Sequence, residues 1–148
     1  FRISEVRASL SILKNALVRS LDQETGYYPD LLVVKRAALA LEPLWAKSST
    51  ITQGSSVALA IEVVSTNWRD DYAHKMADYE ALGITEYWII DYLGLGGSRY
   101  IGSPKQPTIS VYYLLDGEYQ TKLFRGQDNI ESTVFAELNL TAAQIFHG

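Results

Sequence analysis

The chain has no cysteine. Disulfides, thiolate metal sites and cysteine nucleophiles are therefore excluded. It has no apolar run of the length a membrane span needs, so no membrane partner is expected. It also lacks a basic block: 13 Lys and Arg stand against 17 Asp and Glu, a formal charge of -4. Nucleic-acid binders usually leave a basic footprint in the sequence, so this balance lowers the expectation of tight non-specific DNA binding. It does not abolish it, because an acidic chain can still hold a local basic cleft and a bound cation offsets part of a site's negative charge. The two histidines, His74 and His147, are too far apart to form a recognised ligand motif. No internal repeat or low-complexity segment is present. The first residue is Phe1 rather than Met, which leaves open a targeting segment ahead of it. The cysteine-free composition fits the cytoplasm.

What is present is an ordinary globular composition, 47% hydrophobic and 20% charged over 148 residues. That is enough for one domain with a real core, spanning residues 1–148. Apolar residues at Val6, Leu10, Leu13, Leu17 and Leu21 have helical spacing and predict an amphipathic helix over residues 6–21, with Gly26 at its exit. Residues 31–34 read as a short strand entered from Pro29 and Asp30. Residues 37–44 suit a helical turn ending at Pro43, and residues 48–56 a loop or hairpin turn.

Residues 57–64 form the clearest buried strand, apolar on both parities except at Glu62. Ser65, Thr66 and Asn67 offer caps for a helix over residues 69–82 that stops at Gly83. Residues 86–91 are a second strong strand, and strand–helix–strand over so short a span predicts a parallel pair with a right-handed crossover. Residues 93–107, with four glycines and two prolines, read as a loop. Residues 108–115 and 119–124 flank Asp116 and Gly117 as an antiparallel hairpin, and residues 138–146 read as a terminal turn or helix. The expected fold class is α/β in the mixed, α+β sense: a mixed sheet with flanking helices.

Glu62 carries the chemical signal. A carboxylate inside an apolar strand bears a large desolvation penalty unless something compensates it, and a cation is the simplest compensator. Asp30, at the head of a neighbouring strand, can supply a second oxygen, and the Val63 carbonyl a third. Hard oxygen donors favour Mg²⁺ or Mn²⁺. Such an ion can activate water and polarise a phosphoryl oxygen. Lys75 lies four residues after Asp71, so the two share a helix face that Tyr79 continues. From there Lys75 can stabilise charge on a phosphate or orient water, with Asp71 keeping it protonated or holding a water ligand of the metal.

Each residue has an ordinary reading too. Glu62 can pair with a buried Lys or Arg. Asp30 beside Pro29 can be a turn or cap residue. Lys75 and Asp71 can be a surface ion pair, with Asp71 merely complementing a helix N-terminus. Asp70 reads as cap chemistry, His74 as solvated, and Tyr79, Tyr87 and Trp88 as packing residues.

The motif set Tyr28, Pro29, Asp30; Ala60 to Ser65; Asp71, Lys75 and Tyr79 at four-residue steps; and Gly83, Ile84, Glu86 to Asp91 resembles the Uma2 family of restriction endonuclease-like proteins, abundant in cyanobacteria. The resemblance covers about residues 27 to 124. It implies a PD-(D/E)XK nuclease core, a mixed sheet flanked by helices with acids on adjoining strands. Asp30 resembles the first acid and Glu62 the second. The usual strand lysine two positions on is absent, since Val64 stands there, and Lys75 matches the family's position on the following helix. Glu5 is a weak candidate for an upstream helical acid.

The expected activity is Mg²⁺-dependent endonucleolytic hydrolysis of DNA by in-line attack. Cutting both strands calls for two active sites, which a homodimer with a surface near Tyr112 and Tyr113 would supply. One rival is a nuclease-fold nucleic-acid-binding or regulatory module without turnover. Another is a metal-dependent hydrolase of a different phosphoester. Glycoside hydrolysis suits two carboxylates but leaves Lys75 idle.

Overall fold

The computed structural model of the chain describes residues 9–22 and 24–148. Four strands come first: β1 (Leu10–Leu13), β2 (Leu17–Arg19), β3 (Gly26–Tyr27) and β4 (Leu31–Lys35). The helix expected over residues 6–21 is therefore not formed in its described part. Residues 6–8 and Glu5 lie outside the described residues. The apolar spacing there serves two layers rather than one helix face. Leu10 packs on one side of the main sheet, whereas Ala16 and Val18 belong to the core on the other. Asn15, at φ 62°, turns the chain between the two strands, a conformation asparagine tolerates better than most residues. Gly26, expected to end that helix, pairs with Arg19 instead.

Next come α1 (Arg36–Leu39), α2 (Trp45–Ser48) and β5 (Thr50–Ile51), then a single 3₁₀ turn at Gly54–Ser56. Strand β5 pairs parallel with β2 and completes a small sheet in the order β3-β2-β5. The segment expected as a loop thus carries a strand. Gly54 is required by close approach, since a Cβ there would sit 2.0 Å from the Leu82 carbonyl oxygen. Gly54→Ala is expected to cost about 2 kcal/mol by overpacking, read as a lowered denaturant midpoint at unchanged slope. An unchanged midpoint would show that the approach is looser than this.

Strand β6 (Val57–Val63) follows, then a wide π-helical turn over Asp70–Lys75 that runs directly into α3 (Met76–Leu82), then β7 (Glu86–Asp91). Gly83 closes α3 at φ 81°, with its N–H donating to the Glu80 carbonyl and that of Ile84 to the Tyr79 carbonyl. No side chain caps the first turn; the Asn67 carbonyl accepts the Asp70 N–H at 3.0 Å. Strands β6 and β7 are parallel, as expected of two strands joined through a helix. The chain ends with α4 (Ser98–Ile101) inside the glycine-rich loop, the hairpin β8 (Thr108–Leu115) and β9 (Glu118–Phe124), and α5 (Ala142–His147). Asp116 and Gly117, at φ 53° and 81°, form the hairpin turn. Helix α5 begins in a capping box between Thr141 and Gln144.

The main sheet has the order β1-β4-β6-β7-β8-β9, antiparallel except at β6–β7. Both faces are covered. Ala60, Tyr87, Ile89 and Tyr112 face a tyrosine-rich core with Tyr72 and Tyr79. Ile61, Trp88, Ile90 and Val111 face a second core closed by the C-terminal segment and α5. Two-sided burial explains why β6 and β7 read as near-continuous apolar runs. Among the described residues no helix is long and apolar enough to cross a membrane.

Tyr112 is buried, stacked on Tyr87, and Tyr113 donates to the Glu131 carbonyl. The aromatic pair expected at a dimer surface therefore has partners within its own chain.

Candidate active site

Leu31 pairs with Ile61, so the antiparallel register of β4 and β6, carried one step further, sets Asp30 across from Glu62. Asp30 Oδ2 accepts the Val63 N–H at 2.7 Å, so its carboxylate caps the ladder where a backbone carbonyl would otherwise stand. The two acids come from adjoining strands at the same end of the sheet.

Glu62 is almost completely buried. Burial is the main reason its carboxyl is pushed up to about 7; Asp71 and Asp30 add to the effect, while Lys75 and the Tyr79 hydrogen bond oppose it. Its Oε2 accepts from the Tyr79 hydroxyl at 3.0 Å, and its Oε1 lies 3.4 Å from Lys75 Nζ. Lys75 Nζ also lies 3.0 Å from Asp71 Oδ1. Burial alone would lower the Lys75 ammonium, but Glu62 and Asp71 more than offset that and hold it above the ordinary lysine value. Asp71 is raised by its own burial, with Lys75 opposing.

The helix explains this convergence. Asp71, Lys75 and Tyr79 are spaced by four residues, so one stripe of the π turn and α3 aims all three at the face of β6 that carries Glu62. The Tyr87 hydroxyl donates to the Asp71 carbonyl at 2.8 Å and pins the wide turn from the sheet below. Single π turns of this kind recur at functional sites.

Two tyrosines complete the surroundings of Lys75. Tyr79 continues the helix face of Asp71 and Lys75, as its four-residue step implied, and donates its hydroxyl to Glu62. Tyr27 carried no signal: its ring lies 5.8 Å from Lys75 Nζ and edge-on to Tyr79, and its hydroxyl donates to Asp78. Other expectations resolve simply. Val64 is buried in the tyrosine-rich core, with its N–H on the Ile90 carbonyl. Asp70 pairs with the exposed His74 at 3.0 Å instead of capping the helix. Tyr79, Tyr87 and Trp88 are buried packing residues.

Three further carboxylates are buried but differently surrounded. Glu42 accepts from Thr52, Gln53 and Ser56; Glu86 from Trp88, Ser132 and Thr133; Asp91 from Tyr72, Leu95 and Gly96. All of those partners are neutral donors. Glu62 stands apart because its neighbours are two other acids and an ammonium.

Among the described residues no three His, Cys, Asp or Glu side chains form a cluster able to hold a metal on their own. The donor chemistry nevertheless fits Mg²⁺ or Mn²⁺. Mg²⁺ commonly takes one or two carboxylates and keeps several waters. Asp30, Glu62 and the Val63 carbonyl are the groups that could hold it.

A six-stranded mixed sheet flanked by helices, parallel only at its central pair β6–β7, is consistent with a restriction endonuclease-like fold. Residues 5–143 match the Uma2 family model, described as a putative restriction endonuclease, and the chain belongs to that family. A search of curated proteins found no match.

Proposed function

We propose that this chain is an Mg²⁺- or Mn²⁺-dependent endodeoxyribonuclease. The observation that carries the reading is the Asp30–Glu62 pair on adjoining strands with the Lys75 ammonium 3.4 Å from Glu62. Asp30, Glu62 and the Val63 carbonyl would hold the cation, which would lower the pKa of a bound water and polarise the phosphoryl oxygen. Lys75 presents a fixed positive charge to the phosphate as it gains charge in the transition state. It stays charged because two carboxylates face it, so it serves as an electrostatic group rather than a base. Asp71 orients the Lys75 amine, and the Tyr79 hydroxyl fixes Glu62 by occupying Oε2. Burial of the cluster strengthens each of these interactions. Double-strand cutting would draw on two copies of the chain.

The test is nicking of supercoiled plasmid. With Mn²⁺ the parent chain is expected to convert it to open circle and linear forms, and a chelator to stop it. Lys75→Ala is expected to slow the reaction by about a hundredfold. A parent that leaves the plasmid intact with Mn²⁺, or a Lys75→Ala chain that cuts at the parental rate, overturns the reading.

A second reading, a nuclease-fold DNA-binding module without turnover, is favoured by the engagement of Lys75 with two acids. It expects no heat of Mn²⁺ binding in a calorimetric titration, whereas the nuclease reading expects binding that Asp30→Asn abolishes.

A further inference from the structure

The alternation of β6 that turns Glu62 toward the tyrosine-rich core turns its neighbour Val63 to the other face. There Val63 lines a cavity of about 340 Å³ together with Ile90, Tyr92 and Phe146, and Asp30 stands at its edge. Asp30 thus belongs both to the acid pair and to this cavity, and it accepts the N–H of Val63 in the cavity wall. Tyr92 is 46% exposed and Val63 42%, so the cavity opens to solvent beside the acids. Its lining is apolar apart from Asp30. Its volume lies near the small end of ligand clefts, room for one ring system and its sugar but not for the edge of a duplex.

Charge points the same way. Duplex binding draws its affinity from many cations set against phosphates. Here acids outnumber bases and the net charge is -4. The cation nearest the acids, Lys75, is held by Glu62 and Asp71. Stacking of unpaired bases on aromatic side chains supplies affinity with few phosphate contacts and little regard for sequence.

From this juxtaposition we propose that the cavity is a nucleobase subsite and that the preferred substrate is single-stranded DNA, one base of which stacks on Tyr92 while its phosphate lies at Asp30 and Glu62. This rests on the nuclease reading of the acids for the placement of the phosphate. Asp30 lines the cavity and stands across from Glu62 in the register of β4 and β6, so it is the acid that joins the phosphate position to the cavity. Tyr92 is then a specificity-determining residue that touches substrate without taking part in the hydrolytic step.

The test is fluorescence anisotropy of a labelled single-stranded DNA 12-mer and of its duplex, without divalent cation, on Glu62→Gln so that the strand stays intact. Tyr92→Ala in that background is expected to weaken single-strand binding roughly tenfold. Tyr92→Phe should restore it, and duplex binding should not change. An abasic strand should bind Tyr92→Ala and its Glu62→Gln parent alike. Equal single-strand affinity with and without the Tyr92 ring, or tighter binding of duplex than of single strand, overturns the proposal. So does equal or tighter binding of the matching RNA strand.

Cleavage assays separate the two readings. A chain that binds strands through Tyr92 yet never cuts them overturns the hydrolytic assignment alone. An active nuclease whose Tyr92→Ala variant cuts single strands at the parental rate overturns the base subsite alone.

Discussion

Glu62→Gln is expected to do two opposite things at once: abolish Mn²⁺-dependent cleavage and make the folded chain more stable at alkaline pH. The loss of activity follows if Glu62 is one of two carboxylates holding the cation, and at least about a hundredfold should go with it. The gain in stability follows from linkage. Burial, with Asp71 and Asp30 beside it, lifts the Glu62 carboxyl from its ordinary 4.5 to about 7. Between those values the folded chain keeps a proton that the unfolded chain has released. The contribution of Glu62 to stability is therefore complete below about pH 4.5 and is lost as the pH rises through 7. At pH 8 the buried charge costs about 3 kcal/mol relative to the protonated form. Glutamine resembles that neutral form, and its carbonyl can still accept from Tyr79. Thermal melts should show Glu62→Gln above the parent by roughly 5 °C at pH 8, with the gap closing toward pH 5. Mn²⁺ should raise the parent's midpoint at pH 8 and leave that of Glu62→Gln unmoved. A variant less stable than the parent at pH 8 would mean that Lys75 compensates Glu62 fully. The acid would then be a structural ion-pair member with no call for a cation.

The legible part of the molecule is the part where local pattern and tertiary environment agree. Strands β6 and β7 are covered on both faces, so their apolar runs could belong only to central strands, and Gly83 fixed the end of α3 through a backbone conformation few other residues accept. Asp116 and Gly117 announced the β8–β9 turn for the same reason. The N-terminal segment misled because positions 10, 13 and 17 fit a helical stripe as well as two short strands. Only pairing with partners distant in sequence, β4 for the first strand and β5 for the second, decides between them. Strand β5 has two residues and gains its identity from β2, which no local signal encodes.

The candidate site divides the same way. Asp30, Glu62, Asp71 and Lys75 could be named because a carboxylate in an apolar strand and a four-residue step on a helix are local patterns. Tyr27 could not, because its contact with Lys75 is made between the small sheet and the helical turn, far apart in sequence. Nor could the apolar cavity beside Asp30, whose walls come from three strands and the C-terminal helix. Burial of a carboxylate is not in itself the discriminator. Glu86 is at least as buried as Glu62 but is surrounded by neutral donors, and that difference appears only once the fold brings Ser132 and Thr133 to it.

Glu86 carries the largest stability effect expected away from the acid cluster. Its two oxygens accept from the Trp88 indole N–H at 2.7 Å, the Ser132 hydroxyl at 2.6 Å, the Thr133 N–H at 2.8 Å and the Thr133 hydroxyl at 2.7 Å. One side chain thus ties β7 to the segment whose Val134, Phe135, Leu138 and Leu140 pack over the sheet, and which leads into α5. Glu86→Ala leaves those donors without an acceptor at a fully buried position, and each orphaned group bears its own desolvation penalty. The expected loss is about 4 kcal/mol, seen as a lowered denaturant midpoint, with faster amide exchange at Thr133 and earlier proteolysis between residues 130 and 140. Glu86→Gln should lose roughly half as much, because one oxygen still accepts while the amide nitrogen meets other donors. The exposed Lys122–Glu131 pair is the contrast. It spans 2.8 Å between the hairpin and the same segment, yet both side chains are more than half exposed, and Lys122→Ala should barely move the midpoint. If Glu86→Ala and Lys122→Ala unfold at the same denaturant concentration, the segment is held by its apolar contacts alone and the buried carboxylate does not clamp it.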